Sequence, residues 1–196
     1  MISTVTSCVL TGIQGQKITA EIDFSGGVPA YVTVGLPDKA VTESQDRIRT
    51  ALKNSGFPLP AARVVVNLAP AGLKKIGTVY DLPIALGLLC TMGELAQQAL
   101  DGRMFVGELA LDGGIRPVGG VLSMAMAARE MGLDEIVVPA ENAQEAACVA
   151  GVRTVAAESL RQLIELLKSG APLPAIKAAP WAPEAALSTD FSLIKG

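Results

Sequence analysis

The sequence predicts a mixed α+β domain. Three observations carry this: strongly alternating segments come first, helix and strand signals alternate after them, and nothing repeats. Val9 and Ile13, then Ile18, Ala20, Ile22 and Phe24, fall on one side of the opening segments. With a tight connection from Gly12 to Gly15, they read as an antiparallel hairpin. Ser25-Gly26-Gly27 turns the chain into a short strand over 31–34. Asp38, after Pro37, is placed to cap a helix running to about Asn54. Val41, Ile48, Ala51 and Leu52 form its apolar face, and Gly56 and Pro58 end it. The β-branched run 63–68 is a buried strand. Asp81 opens a helix through about Thr91, with Pro83 tolerated in its first turn.

Residues 104–111 read as one strand, turned back by Asp112-Gly113-Gly114 into 115–117. A helix over 120–131 stops at Gly132, and strand 135–138, helix 143–149, strand 152–155 and helix 160–167 follow. From Ser169 the chain turns Pro- and Ala-rich and aperiodic. The reading is therefore one domain, 1–168, then a linker, 169–196, on which Trp181 could pack back.

At 196 residues, with 50% hydrophobic but only 4% aromatic content, the core must be built from Ala, Val, Leu and Ile. No apolar run approaches the ~18 residues that a membrane span needs. The start has no basic segment before an apolar one, so no signal peptide and no membrane are expected, and the cytoplasm is the expected compartment. Cys8, Cys90 and Cys148 are scattered among apolar neighbours and read as buried thiols. Histidine is absent, which excludes Ser-His-Asp and Cys-His catalysis and His-ligated zinc. No GxxxxGK[ST] is present, so the chain has no P-loop of its own.

Three blocks carry a resemblance: VGLPDKAVTESQDRIRTALKNSGF from Val34, VVVNLAPAGLKKIGTVYDLPIALGLL from Val64, and FVGELALDGGIRPVGGVL from Phe105. Together they resemble the N-terminal domain of the Mg-chelatase-like AAA+ ATPases of the ComM/YifB competence type. The resemblance implies a Lon protease catalytic-domain-like fold, also seen in ribosomal protein S5 domain 2. It further implies a parent protein that is a hexameric ATP-driven DNA helicase, promoting branch migration in recombination and transformation. ATP and Mg would then belong to an AAA+ module outside this chain, to which 190–196 resembles the lead-in. The second reading is an ATPase subunit of a metal-chelatase complex, and the third an active Ser–Lys peptidase.

Lon-type peptidases use a serine before an apolar helix and a desolvated lysine after a Gly-Gly turn. By the resemblance, Asp81 and Leu122 occupy those two positions, so catalytic, cofactor and metal residues are expected to be none. Asp81 reads as a helix cap, and Leu122 as buried where the lysine would be. Ser123, in the same helix, has no lysine after it.

The net charge of −3 is uneven. From Lys39 to Lys75, seven basic residues face two acidic ones (Glu43, Asp46), a surplus of five in an otherwise acidic chain. Arg47, Arg49, Lys53, Lys74 and Lys75 are the nucleic-acid candidates within it. On the helix no aromatic residue interleaves Arg47, Arg49 and Lys53, so the expectation is phosphate contact without base reading. Homo-oligomerisation is expected from the resemblance alone.

Overall fold

The computed structural model describes residues 2–179; Trp181 and the 190–196 segment lie outside them. Strands β1 (Ser3–Thr11) and β2 (Gln14–Ser25) form the expected hairpin, pairing Ser3 with Ile22 and Thr11 with Gln14. Ile18, Ala20 and Ile22 are buried as the alternation requires. Ile13 is not: it sits in the two-residue turn, beyond the reach of either sheet face, and is 86% exposed.

Strand β3 (Ala30–Val34) lies at the sheet edge and leads into α1 (Lys39–Asn54) and then β4 (Arg63–Ala69), parallel to β3. Helix α1 starts as read: the Asp38 carboxylate accepts the Val41 amide at 2.8 Å, and Val41, Ile48, Ala51 and Leu52 are buried. Helix α2 (Asp81–Thr91) is buried along almost its whole length, so its sequence is apolar all round.

The expected long strand after it is broken into β5 (Arg103–Phe105) and β6 (Glu108–Leu109). Gly107 explains the break. Its amide donates to the Val79 carbonyl at 3.1 Å and its carbonyl accepts the Leu82 amide at 3.1 Å, so it leaves the sheet to hold the start of α2. Strand β7 (Ile115–Arg116) pairs with β6, and α3 (Val121–Glu130) follows. The rest is β8 (Glu135–Pro139), α4 (Ala143–Ala147), β9 (Arg153–Ala157), α5 (Leu160–Ser169) and β10 (Ala175–Ile176).

The main sheet has the order β10-β9-β8-β5-β1-β2-β4-β3, with parallel and antiparallel pairs mixed. From these pairings, all its strands except β2 and β10 point the same way. Helix α2 packs on the face bearing Ser3 and Ile22, and α3 on the face bearing Gly15, whose added Cβ would meet Ala127 and Cys8.

Two readings are corrected here. The linker does not begin at Ser169: β10 pairs antiparallel with β9, Leu173 is buried, and the Arg153 guanidinium donates to the Leu173 carbonyl at 2.8 Å. The short apolar pattern around it is too brief to register as a strand in sequence. Cys148, on the short α4, is exposed, while Cys8 and Cys90 are buried.

Gly35 has φ +101, and a Cβ there would overlap the Leu68 carbonyl, whereas Gly26 has open space around it. Gly35→Ala is therefore expected to destabilise by about 2 kcal/mol or more, and Gly26→Ala to stay within about 0.5 kcal/mol of the parent, read by denaturant unfolding.

Candidate functional site

Because the strands are so aligned, the C-terminal ends of β3, β4, β5, β8 and β9 share one edge with the β1–β2 turn. In open α/β sheets that edge is where ligands are received. A cleft of about 420 Å³ opens there. One wall is Val9 and Leu10 of β1, another is the loop 76–80, and the third is Pro117, Val118 and Gly119, closed by Met124 of α3. Cys8 lies beneath, its thiol pushed up to about 11 by burial. Of the nine exposed large apolar side chains among the described residues, Ile13, Leu36, Ile76 and Leu111 belong to turns and loops, Val34 ends β3, and Leu122 and Met126 lie on α3.

Each wall is fixed by specific bonds. Asp38 does two jobs: one carboxylate oxygen caps α1, and the other accepts the Gly77 amide at 3.0 Å. The Asp38 amide donates to the Lys75 carbonyl at 2.9 Å, and the Lys75 amide to the Leu36 carbonyl at 3.1 Å. These bonds hold Leu36 at φ +57, a conformation that leucine rarely adopts. The opposite wall is clamped by Asn142, whose amide accepts the Val118 N–H at 2.9 Å and donates to the Val118 carbonyl at 3.1 Å. Glu145 accepts the Leu122 amide at 2.9 Å and so serves as a cap for α3 supplied from α4.

Behind the cleft lies an ion-pair network. The Arg47 guanidinium meets Asp81 with two hydrogen bonds, at 2.9 and 3.1 Å, and also donates to the Ala40 carbonyl. Asp81 further accepts the Leu109 amide at 3.2 Å. Alongside, Thr78 donates to Glu108 at 2.5 Å, and Glu108 pairs with Arg116 at 3.5 Å. The Tyr80 and Tyr31 hydroxyls are buried without a hydrogen-bond partner among the described residues.

This arrangement corrects several readings. Asp81 is not the cap of α2: Tyr80 holds that position in a helical conformation without a side-chain bond, and the Asp81 carboxylate is taken by Arg47 and Leu109. The α2 amides are instead satisfied by the Thr78 and Gly107 carbonyls. Leu122 is 41% exposed, because the buried stripe of α3 runs through Val121, Met124, Ala125 and Ala128, and position 122 looks outward. Ser123 lines a different, smaller hollow with Ile13 and Met126.

Among the basic candidates, Arg47 is spent on Asp81. Lys75 is fully buried, its ammonium donating to the Pro70 carbonyl and its pKa lowered by desolvation. Lys75 is thus withdrawn from the surface, and Arg47, part-buried, has its guanidinium committed to Asp81. Arg49, Lys53 and Lys74 are exposed. At about 100° per residue, Arg47 and Arg49 stand about 200° apart around α1, so the first faces α2 and the second the opposite flank. No group of three or more Cys, Asp or Glu that could hold a metal occurs among the described residues, and no helix among them is long and apolar enough to cross a membrane.

Comparison with known proteins fits this geometry. The family described as subunit ChlI of Mg-chelatase matches residues 20–142. The chain belongs to the Mg-chelatase-like ChlI family. Those residues run from β2 to the start of α4, so they hold every wall of the cleft but β1 and α3's clamp Glu145. The competence protein ComM of Haemophilus influenzae is 42% identical over 163 residues, 83% of this chain and 32% of that protein. The Escherichia coli protein YifB is 40% identical over 157 residues, 80% of this chain and 31% of its own length. Lon protease 2 of Bacillus subtilis is 21% identical over 147 residues, 71% of this chain and 26% of that protein. The chain thus spans about a third of the length of its ComM and YifB relatives.

Sequence reasoning missed Glu108, Thr78, Asn142 and Glu145, whose partners lie far off in the chain. The one available signal was Asp38, read correctly as a cap but not as the anchor of Gly77.

Burial, the largest influence, raises the Asp81 pKa above its ordinary 3.8, and the Arg47 hydrogen bonds oppose this. The folded state therefore holds that proton more tightly than the unfolded chain, and the associated stability is lost as pH rises through the raised pKa. Arg47→Ala strands a carboxylate whose side chain is only 1% exposed. It is expected to destabilise by about 3–5 kcal/mol near pH 8. The deficit should shrink toward pH 5, where the stranded group takes up a proton; unfolding curves at the two pH values check this, and equal deficits would count against it.

Proposed function

We propose that this chain is a non-proteolytic assembly and DNA-engaging module of a larger Mg-chelatase-like AAA+ ATPase, with the Lon catalytic-domain, S5 domain 2-like fold. One observation carries the loss of proteolysis. The cleft is walled by Thr78, Val79, Tyr80 and Pro117 to Gly119, and no serine, lysine or histidine lines it. A Ser–Lys mechanism needs its nucleophile and its neutral amine within hydrogen-bond reach. The buried Lys75, its pKa lowered by desolvation, is instead bound to the Pro70 carbonyl.

In the full protein, as we read it, the remaining two thirds supply the nucleotide site for ATP and Mg. The assembly is a hexamer that drives branch migration during recombination and transformation. The competence name of the Haemophilus relative supports this reading. A metal-chelatase subunit is the second reading, favoured by the family's own description.

For DNA, the exposed Arg49, Lys53 and Lys74 remain as phosphate contacts. Binding by the isolated chain should be weak, with a dissociation constant of roughly 10⁻⁴–10⁻⁶ M near physiological salt, and should weaken further as salt rises. Replacing all three with Ala should lower affinity about equally across sequences and flatten the salt slope, measured by anisotropy with labelled duplexes. An unchanged slope would remove DNA from the reading. The chain alone should neither hydrolyse ATP nor cleave casein; casein cleavage abolished by Ser123→Ala would restore the peptidase reading.

A further inference from the structure

Helix α3 carries an apolar stripe that the described residues leave uncovered. Its inner side is buried through Val121, Met124, Ala125 and Ala128. On the outer side Leu122 and Met126, four positions apart and so one above the other, are 41% and 42% exposed. Arg129, one turn beyond Met126, continues that side. It is exposed and has no ion-pair partner among the described residues.

Two contacts lay α4 and the turn after it alongside this stripe. At one end Glu145 of α4 accepts the Leu122 amide at 2.9 Å. At the other, a Cβ added to Gly151 would come within 3.3 Å of the Arg129 side chain. The end of the described chain arrives at the same short helix. The Ala179 amide donates to the Gln144 side-chain oxygen at 2.9 Å, on the residue next to Glu145. From there the sequence runs Pro180-Trp181-Ala182-Pro183-Glu184. Trp181 is two residues on, which gives about 7 Å of chain before the reach of its own side chain. It is the only tryptophan of the sequence, and Glu184 is the only charged residue between Lys177 and Asp190.

We infer that the stripe is the docking site of this chain's own Trp181, the tail passing across α4 and the indole lying over Leu122 and Met126. An indole supplies a large apolar face for two such side chains, and methionine sulfur is a favourable neighbour of an aromatic ring. The Arg129 guanidinium at the end of the stripe offers the ring a cation and Glu184 a countercharge. Pro180 and Pro183, on either side of Trp181, reduce the conformational freedom that the tail gives up on docking. A second copy of this chain fits less well, because an isologous contact through the stripe would bring the two Arg129 side chains together. The inference does not rest on the ATPase or DNA reading.

Fluorescence of the 196-residue chain tests this directly, because Trp181 is its sole tryptophan. Emission should lie at shorter wavelength than that of N-acetyltryptophanamide, and acrylamide should quench it less. The double variant Leu122→Asn, Met126→Asn should lower the ratio of docked to free indole about tenfold and move both signals toward those of the free amide. Both positions are exposed, so far-ultraviolet circular dichroism should be unchanged. Gln144→Ala, which removes the Ala179 anchor and leaves the stripe intact, should shift the signals the same way but less. Val28→Asn, at an exposed apolar residue elsewhere, should shift neither. Free-amide emission from the parent chain would overturn the proposal. So would emission that stays at short wavelength in the double variant, which would seat Trp181 elsewhere. A blue shift that appears only with dimer formation in sedimentation would make a second copy the occupant and overturn it too.

Discussion

The Arg47–Asp81 pair is the joint on which the cleft end of this molecule depends. It ties α1 to α2 through two hydrogen bonds, and through the Leu109 amide it ties both helices to β6. Burying a carboxylate carries a large desolvation cost, which only close pairing and full hydrogen bonding offset. Asp81 has both. Its two-point contact uses the planar fork of the guanidinium, which a lysine could not reproduce. Replacing both partners with apolar residues of similar volume could even stabilise the fold, so the pair is better understood as fixing geometry than as adding net stability. Geometry is what the neighbouring residues need: Gly107 can bridge Val79 and Leu82 only if α2 starts where Asp81 places it.

The same reasoning explains why this end of the sheet is both ordered and apolar. Asp38 and Asn142 each spend a side chain on backbone groups of a loop, and Glu145 on the first turn of α3, which restrains segments that would otherwise be the least fixed parts of the fold. Loops so held can keep Ile76, Leu36 and Val118 around the cleft without collapsing onto them. Monomeric proteins rarely concentrate exposed apolar side chains in this way unless a partner covers them.

Sequence reading succeeded where the determining contacts are local. The bounds of α1 followed from Asp38 and the spacing of Val41, Ile48 and Leu52, and the hairpin followed from alternation around Gly12. It failed where two distant residues decide one another. Asp81 looks like a cap because caps are commonly Asp at that place, and only the fold brings Arg47, 34 positions away, onto it. Lys75 looks like a surface charge because its neighbour Lys74 is one; nothing local shows that it turns inward to Pro70. Leu122 and Val121 cannot be told apart by composition, and one residue of helical phase decides which is buried.

That pattern of failure bears on the basic segment. Counted along the chain, it is a run of cations; in the fold its five phosphate candidates separate into three groups. Arg47 and Lys75 are internal and hold the cleft. Lys74 sits beside the Asp38–Gly77 anchor at the strand ends. Arg49 and Lys53 are exposed on the flank of α1 turned away from Arg47. A surplus of positive charge in sequence is therefore weak support for a single phosphate-binding face.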